Sequence, residues 1–211
     1  MIGIPLGLAW SAAGEWWIHK YVLHGQGKNR ESFWSFHWHE HHKNVRRNEH
    51  RDECYERRLL GWHSQGKEAL ALLGLAAAHA PLLPVAPWFT LTVWWRVLHY
   101  HRVHKKSHLD IEWARENLPW HFDHHMGKDQ DQNWCVTNPW FDELMGTRVP
   151  YVGTEAEAQD IAKRERLKAA REGKVVRGDQ VRGDEGSGGG VGVEAVRGGQ
   201  GDNAGAGQSA A

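Results

Sequence analysis

The sequence predicts an all-α protein: a membrane helical bundle with a histidine-rich cap, followed by a disordered C-terminal tail. Three observations lead there. Apolar runs of helical length recur, and strand-type alternation is scarce. All sixteen histidines and all thirteen tryptophans fall within residues 1–150. Residues 173–211 are rich in Gly, Ala, Ser and Asp with few large apolar side chains, so they bury too little surface to offset their ordering entropy. The expected division is a bundle over 1–150, a charged helix or linker over 151–172, and the tail over 173–211.

Lys plus Arg number 26 and Asp plus Glu number 26, so the formal charge is zero. No bulk positive charge supports nucleic-acid binding. A chain of 211 residues is long enough for one domain with a sizeable core. Cys54 and Cys135 form no C-x-x-C and are expected as ordinary free thiols rather than a disulfide framework.

Residues 2–18 are mostly apolar. A secretory signal is disfavoured, because no Lys or Arg precedes the apolar run. Trp10, Trp16 and Trp17 suit an interfacial belt, so a membrane helix is expected that continues into HKYVLHG and stops near Gly25. Residues 31–58 are polar, with a helix expected from a cap near Ser32. Their basic residues Lys43, Arg46, Arg47, Arg51, Arg57 and Arg58 put this part on the cytoplasmic side under the positive-inside rule.

Residues 69–100 are the longest apolar region, divided by Pro81, Pro84 and Pro87. Proline breaks helix interiors, so two helices joined by a tight turn are expected. Each is shorter than the ~20 residues of a full span. The pair Trp94–Trp95 repeats the pair Trp16–Trp17 and favours a multi-pass membrane protein over a soluble helical pair. The tryptophans and leucines near 88–98 are expected mainly in core packing, with an apolar substrate slot as their other possible use. Residues 134–147, WCVTNPWFDELMGT, read as a loop folded against the histidines. Residues 153–172 are charged and helix-prone but lack an apolar face.

The histidines fall into four groups: His19 and His24; His37, His41 and His42 within FHWHEHH; His104 and His108; and His121, His124 and His125. Rings three or four residues apart share a helix face, and imidazole is the commonest metal ligand. His37 and His41 share such a face, whereas His39 points nearly opposite to His41, so His37 is chosen over His39. Ten imidazoles exceed the roughly six ligands of one ion and fit two. Imidazole suits Fe, Zn, Cu and Ni. Glu40, Asp110, Glu112 and Asp123 adjoin the groups and are expected to orient the rings. His50, His63, His79, His99 and His101 lie off the spacings and are expected to be structural or exposed.

In that order the groups resemble the boxes of the fatty acid hydroxylase/sterol desaturase superfamily, the membrane histidine-box di-iron oxygenases: H-x(3–4)-H, H-x(2–3)-H-H, H-x-x-x-H and H-x-x-H-H. The stretch from Trp134 to Thr147 is similar to the family's loop after the last box, and HKYVLHG resembles the first box of bacterial carotenoid hydroxylases. The resemblance covers about residues 15–150. It implies two iron ions (with zinc as a substitute) held by His19, His24, His37, His41, His42, His104, His108, His121, His124 and His125 on the cytoplasmic side of a membrane. It also implies O₂ as co-substrate and hydroxylation or desaturation of a C–H bond in a lipid such as a fatty acyl chain, sterol or carotenoid. No cytochrome b5 segment with His-Pro-Gly-Gly occurs in the chain, so electrons are expected from a separate donor of ferredoxin or cytochrome b5 type.

Two other readings are open. FHWHEHH partly echoes the H-x-H-x-D-H box of metal-dependent hydrolases, with His41 where Asp is expected, but that fold needs many strands. A non-catalytic membrane metal-binding protein would keep the same ligands without turnover.

Overall fold

The computed structural model describes residues 2–184. The chain divides into two units, Met1–Ala162 and Lys163–Ala211. The first holds α1 (Gly3–Trp17), α2 (Lys43–Arg47), α3 (Ser64–His79), α4 (Pro87–Leu109), α5 (Ile111–Asn117), α6 (Pro119–Met126), α7 (Trp140–Leu144) and the start of α8 (Glu155–Asp184). Of the second, the described part is the rest of α8. The described residues contain no strand, which is the all-α class expected and removes the basis of the hydrolase reading. Helix α8 passes residue 172, where the tail was expected to begin. The remainder of that expectation, 185–211, lies outside the described residues.

Local chemistry sets the helix ends. Pro87 opens α4 and Pro119 opens α6 at the first helical turn, where a missing N–H costs nothing. Asp110 caps α5 by accepting from Trp113 N–H at 3.1 Å, and His63 caps α3 by accepting from Gly66 N–H. The proline-rich connection forms a short 3₁₀ turn, Ala80–Leu82, as two helices with a tight turn require. Ser32 caps a turn instead of a helix: its Oγ accepts from Trp34 N–H, and helical structure starts a few residues later.

Helix α1 packs along α4, and α3 also packs along α4. The first contact is close at Gly7, where an added Cβ would lie 2.8 Å from Thr92 Cβ. Past Trp17, α1 continues as a π-helix, Ile18–Gln26, and a second π-helical segment covers His37–His42. Wider π winding is rare and gathers at functional sites.

The expected spanning helices are not observed. Among the described residues, no helix is long and apolar enough to cross a membrane. Helix α1 is apolar for only 15 residues before its histidines, and α3 has 16 residues. The 23-residue α4 turns charged after Arg96, with Arg102, Lys105 and Lys106 following. Large apolar side chains are nonetheless exposed along these helices. Leu6 and Trp17 on α1, Leu73 on α3, and Trp88, Trp95 and Leu98 on α4 are each more than half exposed. Trp88 and Trp95 are thus neither core nor slot. Trp94 faces inward and joins α4 to α3, donating to Ala76 O at 2.9 Å.

Aliphatic residues do not fill the centre of the first unit. Apart from Tyr55 and Gln65, its largest fully buried side chains are histidines.

Candidate metal centre

All ten sequence-selected histidines converge, and none is more than 3 % exposed. They form two neighbouring sets. His19, His24, His37, His42 and His124 place one nitrogen each within 4.8 Å of one another, and so do His41, His104, His108 and His125. His121 joins the second set through His108, with the Nε2 atoms 3.1 Å apart. Each set therefore draws on both halves of the chain: the π-helical segments and, from downstream, α4 or α6.

The π winding decides which ring goes where. Its hydrogen bonds run from i to i+5, so residues five apart share a face. His19 with His24, and His37 with His42, are such pairs, and all four belong to the first set. His41, read on an α-helix as the facial partner of His37, turns instead to the second set.

Too many inward nitrogens meet at one point for a hydrogen-bond network. His42 Nε2 is 3.1 Å from the Nε2 atoms of both His24 and His37 and 3.2 Å from that of His124. His19 Nε2 is 3.0 Å from His37 Nε2, and His104 Nε2 is 3.2 Å from His108 Nε2. One ring nitrogen serves in one such bond, as donor or acceptor, so His42 cannot satisfy three. Lone pairs pointed at a common ion do fit. A metal–nitrogen bond of ~2.0–2.1 Å puts adjacent ligand atoms about 3 Å apart. Several buried ring nitrogens have no protein partner: His41 Nε2, His121 Nδ1 and both nitrogens of His125.

The outward ring edges are held by acceptors, which fixes the tautomer and frees Nε2. His19 Nδ1 donates to Trp134 O at 2.5 Å, His124 Nδ1 to Gln132 O at 2.6 Å and His108 Nδ1 to His50 O at 2.9 Å. Three carboxylates do the same: Asp131 for His24 at 3.1 Å, Asp52 for His41 at 2.9 Å and Glu68 for His104 at 2.8 Å. Tyr55 Oη also donates to Glu68 at 2.5 Å.

Burial pushes the imidazoles of His19, His37, His42, His108, His121, His124 and His125 well below the usual histidine range, and neighbouring rings add to the shift. Burial lowers His24 and His104 too, against the pull of Asp131 and Glu68. Neutral rings are the form that ligates. Burial alone would raise Glu68, but His104, His101 and Tyr55 outweigh it and keep the carboxylate ionised. The donor set, its free lone pairs and its neutral state therefore fit metal ions, one to a set.

The loop 133–147 locks this arrangement. Asp142 accepts from Trp134 N–H at 2.9 Å, Cys135 N–H at 2.7 Å and Thr147 Oγ at 2.7 Å. The turn after α7 uses Gly146 at φ +66°, a conformation glycine adopts without strain. A cavity of about 730 Å³ lies beside the histidines between α1, α3 and α4. His19, His37 and Glu68 reach its wall, which is otherwise mainly apolar, with Trp16, Leu72, Leu75 and Val97 among its residues.

The family model described as fatty acid hydroxylase matches residues 4–147. The chain belongs to the fatty acid hydroxylase family. Comparison with curated proteins and with solved structures gives no match. Membership points to a lipid hydroxylase- or desaturase-type oxidoreductase, in a family that is generally membrane-associated and typically iron-dependent.

Within this fatty acid hydroxylase fold the carboxylates near the boxes are not the ones that orient the rings. Glu40 pairs with Lys67, Asp110 caps α5, Glu112 is exposed and Asp123 pairs with Arg148. The carboxylates that bond to the rings, Asp52, Glu68 and Asp131, lie outside the histidine boxes, and nothing in their local sequence marks them. His50 is a second omission. It is fully buried, lies within ligand distance of His108 and His121, and both its nitrogens lack partners. Its φ of +84° comes from a sharp turn after α2 that no spacing rule detects. The other four histidines are structural or partly exposed as expected: His63 caps α3, His79 bonds to Trp10, His99 stacks on Trp95 and His101 reaches Glu68.

Proposed function

We propose that this family member is an O₂-dependent di-iron oxygenase that hydroxylates or desaturates a lipid C–H bond. The observation that carries the reading is two sets of buried, inward-facing imidazoles beside an apolar cavity. His19, His24, His37, His42 and His124 would hold one ion. His41, His104, His108, His121 and His125 would hold the other, and zinc is a possible substitute in the same all-imidazole set. Bound iron supplies the reduction of O₂ and the oxidation of an unactivated C–H bond, with electrons from a separate ferredoxin- or cytochrome b5-type donor.

The chain's own part is positional and electrostatic. The outward Nδ1 contacts of His19, His24, His41, His104, His108 and His124 hold those six rings with Nε2 free. Asp52, Glu68 and Asp131 supply negative charge beside the cationic centre. The buried histidine shell excludes water from the reacting position. The apolar cavity takes the lipid body; of the charged groups on its wall, Glu15 and Arg96 pair with each other at 3.2 Å, and Glu68 is held by His104 and Tyr55.

The exposed apolar residues of α1, α3 and α4 support contact with a lipid bilayer. A patch of this kind marks a membrane or partner surface, and contact of this sort needs no spanning helix. We place the histidine sets on the cytoplasmic side, with the basic residues that follow the second box.

The test is detergent purification followed by metal analysis and O₂-dependent conversion of extracted lipid, read by mass spectrometry. Gain of an oxygen atom marks hydroxylation, and loss of two hydrogens marks desaturation. One metal ion or fewer per well-folded chain, or oxidation that proceeds without O₂, overturns the reading.

A further inference from the structure

The cavity has two ends. At one, His19 and His37 reach the wall. The other is bridged by a side-chain contact between α1 and α3, which each pack along α4 rather than along each other. Trp10 of α1 donates its indole N–H to His79 Nε2 of α3 at 3.0 Å. His79 Nδ1 donates to Leu75 O at 2.8 Å, which leaves Nε2 as the acceptor. The same indole packs against Phe89 of α4 with ring centroids 6.5 Å apart. One side chain thus ties three helices together where the cavity ends.

We infer that the Trp10–His79 pair is a stop that limits how far an unbranched alkyl chain extends beyond the metal-facing wall. The inference rests on reading the cavity as the lipid site. Two independent lengths set the limit. Trp10 precedes His19 by nine residues on one continuous helix, and His79 follows Glu68, which bonds to His104, by eleven on α3. At ~1.5 Å per residue these separations are ~13 and ~16 Å. An extended chain advances ~1.2 Å per bond, as an extended backbone does. The stop therefore admits roughly a dozen carbons. An occupant of this kind suits the wall, because Glu15 and Arg96 pair with each other, Glu68 is held by His104, and the remainder is mainly apolar.

The experiment measures binding of linear alcohols, from octanol to octadecanol, to the metal-loaded protein by competition against a fluorescent fatty acid. In the wild type, affinity rises about three- to fourfold per methylene as far as dodecanol, then stops rising. In Trp10→Ala the rise continues through hexadecanol. His79→Ala, which removes the partner and leaves the indole, shifts the limit the same way and serves if Trp10→Ala does not fold. Leu60→Ala, at an exposed position outside the cavity, keeps the wild-type limit. No limit in the wild type, or the same limit in both cavity variants, overturns the inference. The competition needs no turnover, so a limit without lipid oxidation retains the stop and removes the oxygenase reading, whereas oxidation without a limit does the reverse.

Discussion

Glu15 of α1 accepts the backbone N–H of Thr137 at 2.7 Å and the Thr137 hydroxyl at 2.6 Å, and it also takes the N–H of Val136. The loop it grips supplies the Trp134 carbonyl that holds His19. Glu15 and His19 are one helical turn apart, so α1 fixes both a metal-facing ring and the strap that orients it. Replacing Glu15 by Gln keeps the shape, removes the charge and leaves Arg96 with a weakened partner. Breaking a buried pair costs about 3 kcal/mol, and loss of the strap lowers metal affinity in the first set by about tenfold or more. Chemical denaturation and a competitive chelator titration read the two effects separately.

Adjacent histidines face different sets. His42→Ala removes a ligand from the first set, and His41→Ala removes one from the second. Each variant is expected to lose one of the two metal ions and retain the other. Metal analysis gives the stoichiometry, and spectra of the cobalt-substituted protein show that the remaining site differs between the two variants. Loss of the same ion in both contradicts the division.

His50 offers its backbone and its ring to different tasks. The carbonyl orients His108, and a side-chain change leaves that contact in place. The ring, between His108 and Phe122 with centroids 4.7 and 4.6 Å away, has two free nitrogens beside the second set. Asn tolerates the left-handed backbone found here. His50→Asn is therefore expected to fold, to weaken the second ion by about tenfold and to leave the first unchanged. Equal loss of both ions would assign the ring a packing role instead.

Acid and chelation act on the same buried rings. Unfolded histidines titrate near ~6.5, and the folded ones are held lower by burial. The unfolded state thus binds more protons once pH drops below ~6.5, and stability falls from there downward. Each such histidine contributes up to about 1.4 kcal/mol per pH unit. Metal-free protein is expected to melt at sharply lower temperature at pH 5 than at pH 7, by thermal circular dichroism. At neutral pH a chelator is expected to lower the melting temperature of metal-loaded protein for a related reason, because ions held by these rings would stand where other folds have an aliphatic core. A melting temperature that stays flat from neutral to mildly acidic pH contradicts the buried neutral cluster.

The sequence made the four histidine groups, the helix pair around Pro81 and Pro87, and the loop from Trp134 to Thr147 legible, because each is a short-range pattern. It did not show how the rings divide between sets. His37 and His41 look like facial partners under α-helical spacing, and only the π winding parts them. Asp52, Glu68 and Asp131 were invisible because they reach their rings through tertiary packing: Glu68 is 36 residues from His104 and Asp131 is 107 from His24. Trp88, Trp95 and Leu98 looked like packing residues because composition reveals how apolar a stretch is but not which side faces outward. The same ambiguity led from apolar runs to spanning helices that the observed lengths do not provide.

The wider helical pitch at Ile18–Gln26 has a consequence for how such sites vary. Rings separated by four intervening residues meet one point on a π-turn, and rings separated by three meet it on an ordinary α-turn. A single-residue deletion between His19 and His24 can therefore be absorbed by rewinding the backbone as an α-turn. Pitch and loop length trade against each other, and the focus of the imidazoles stays put.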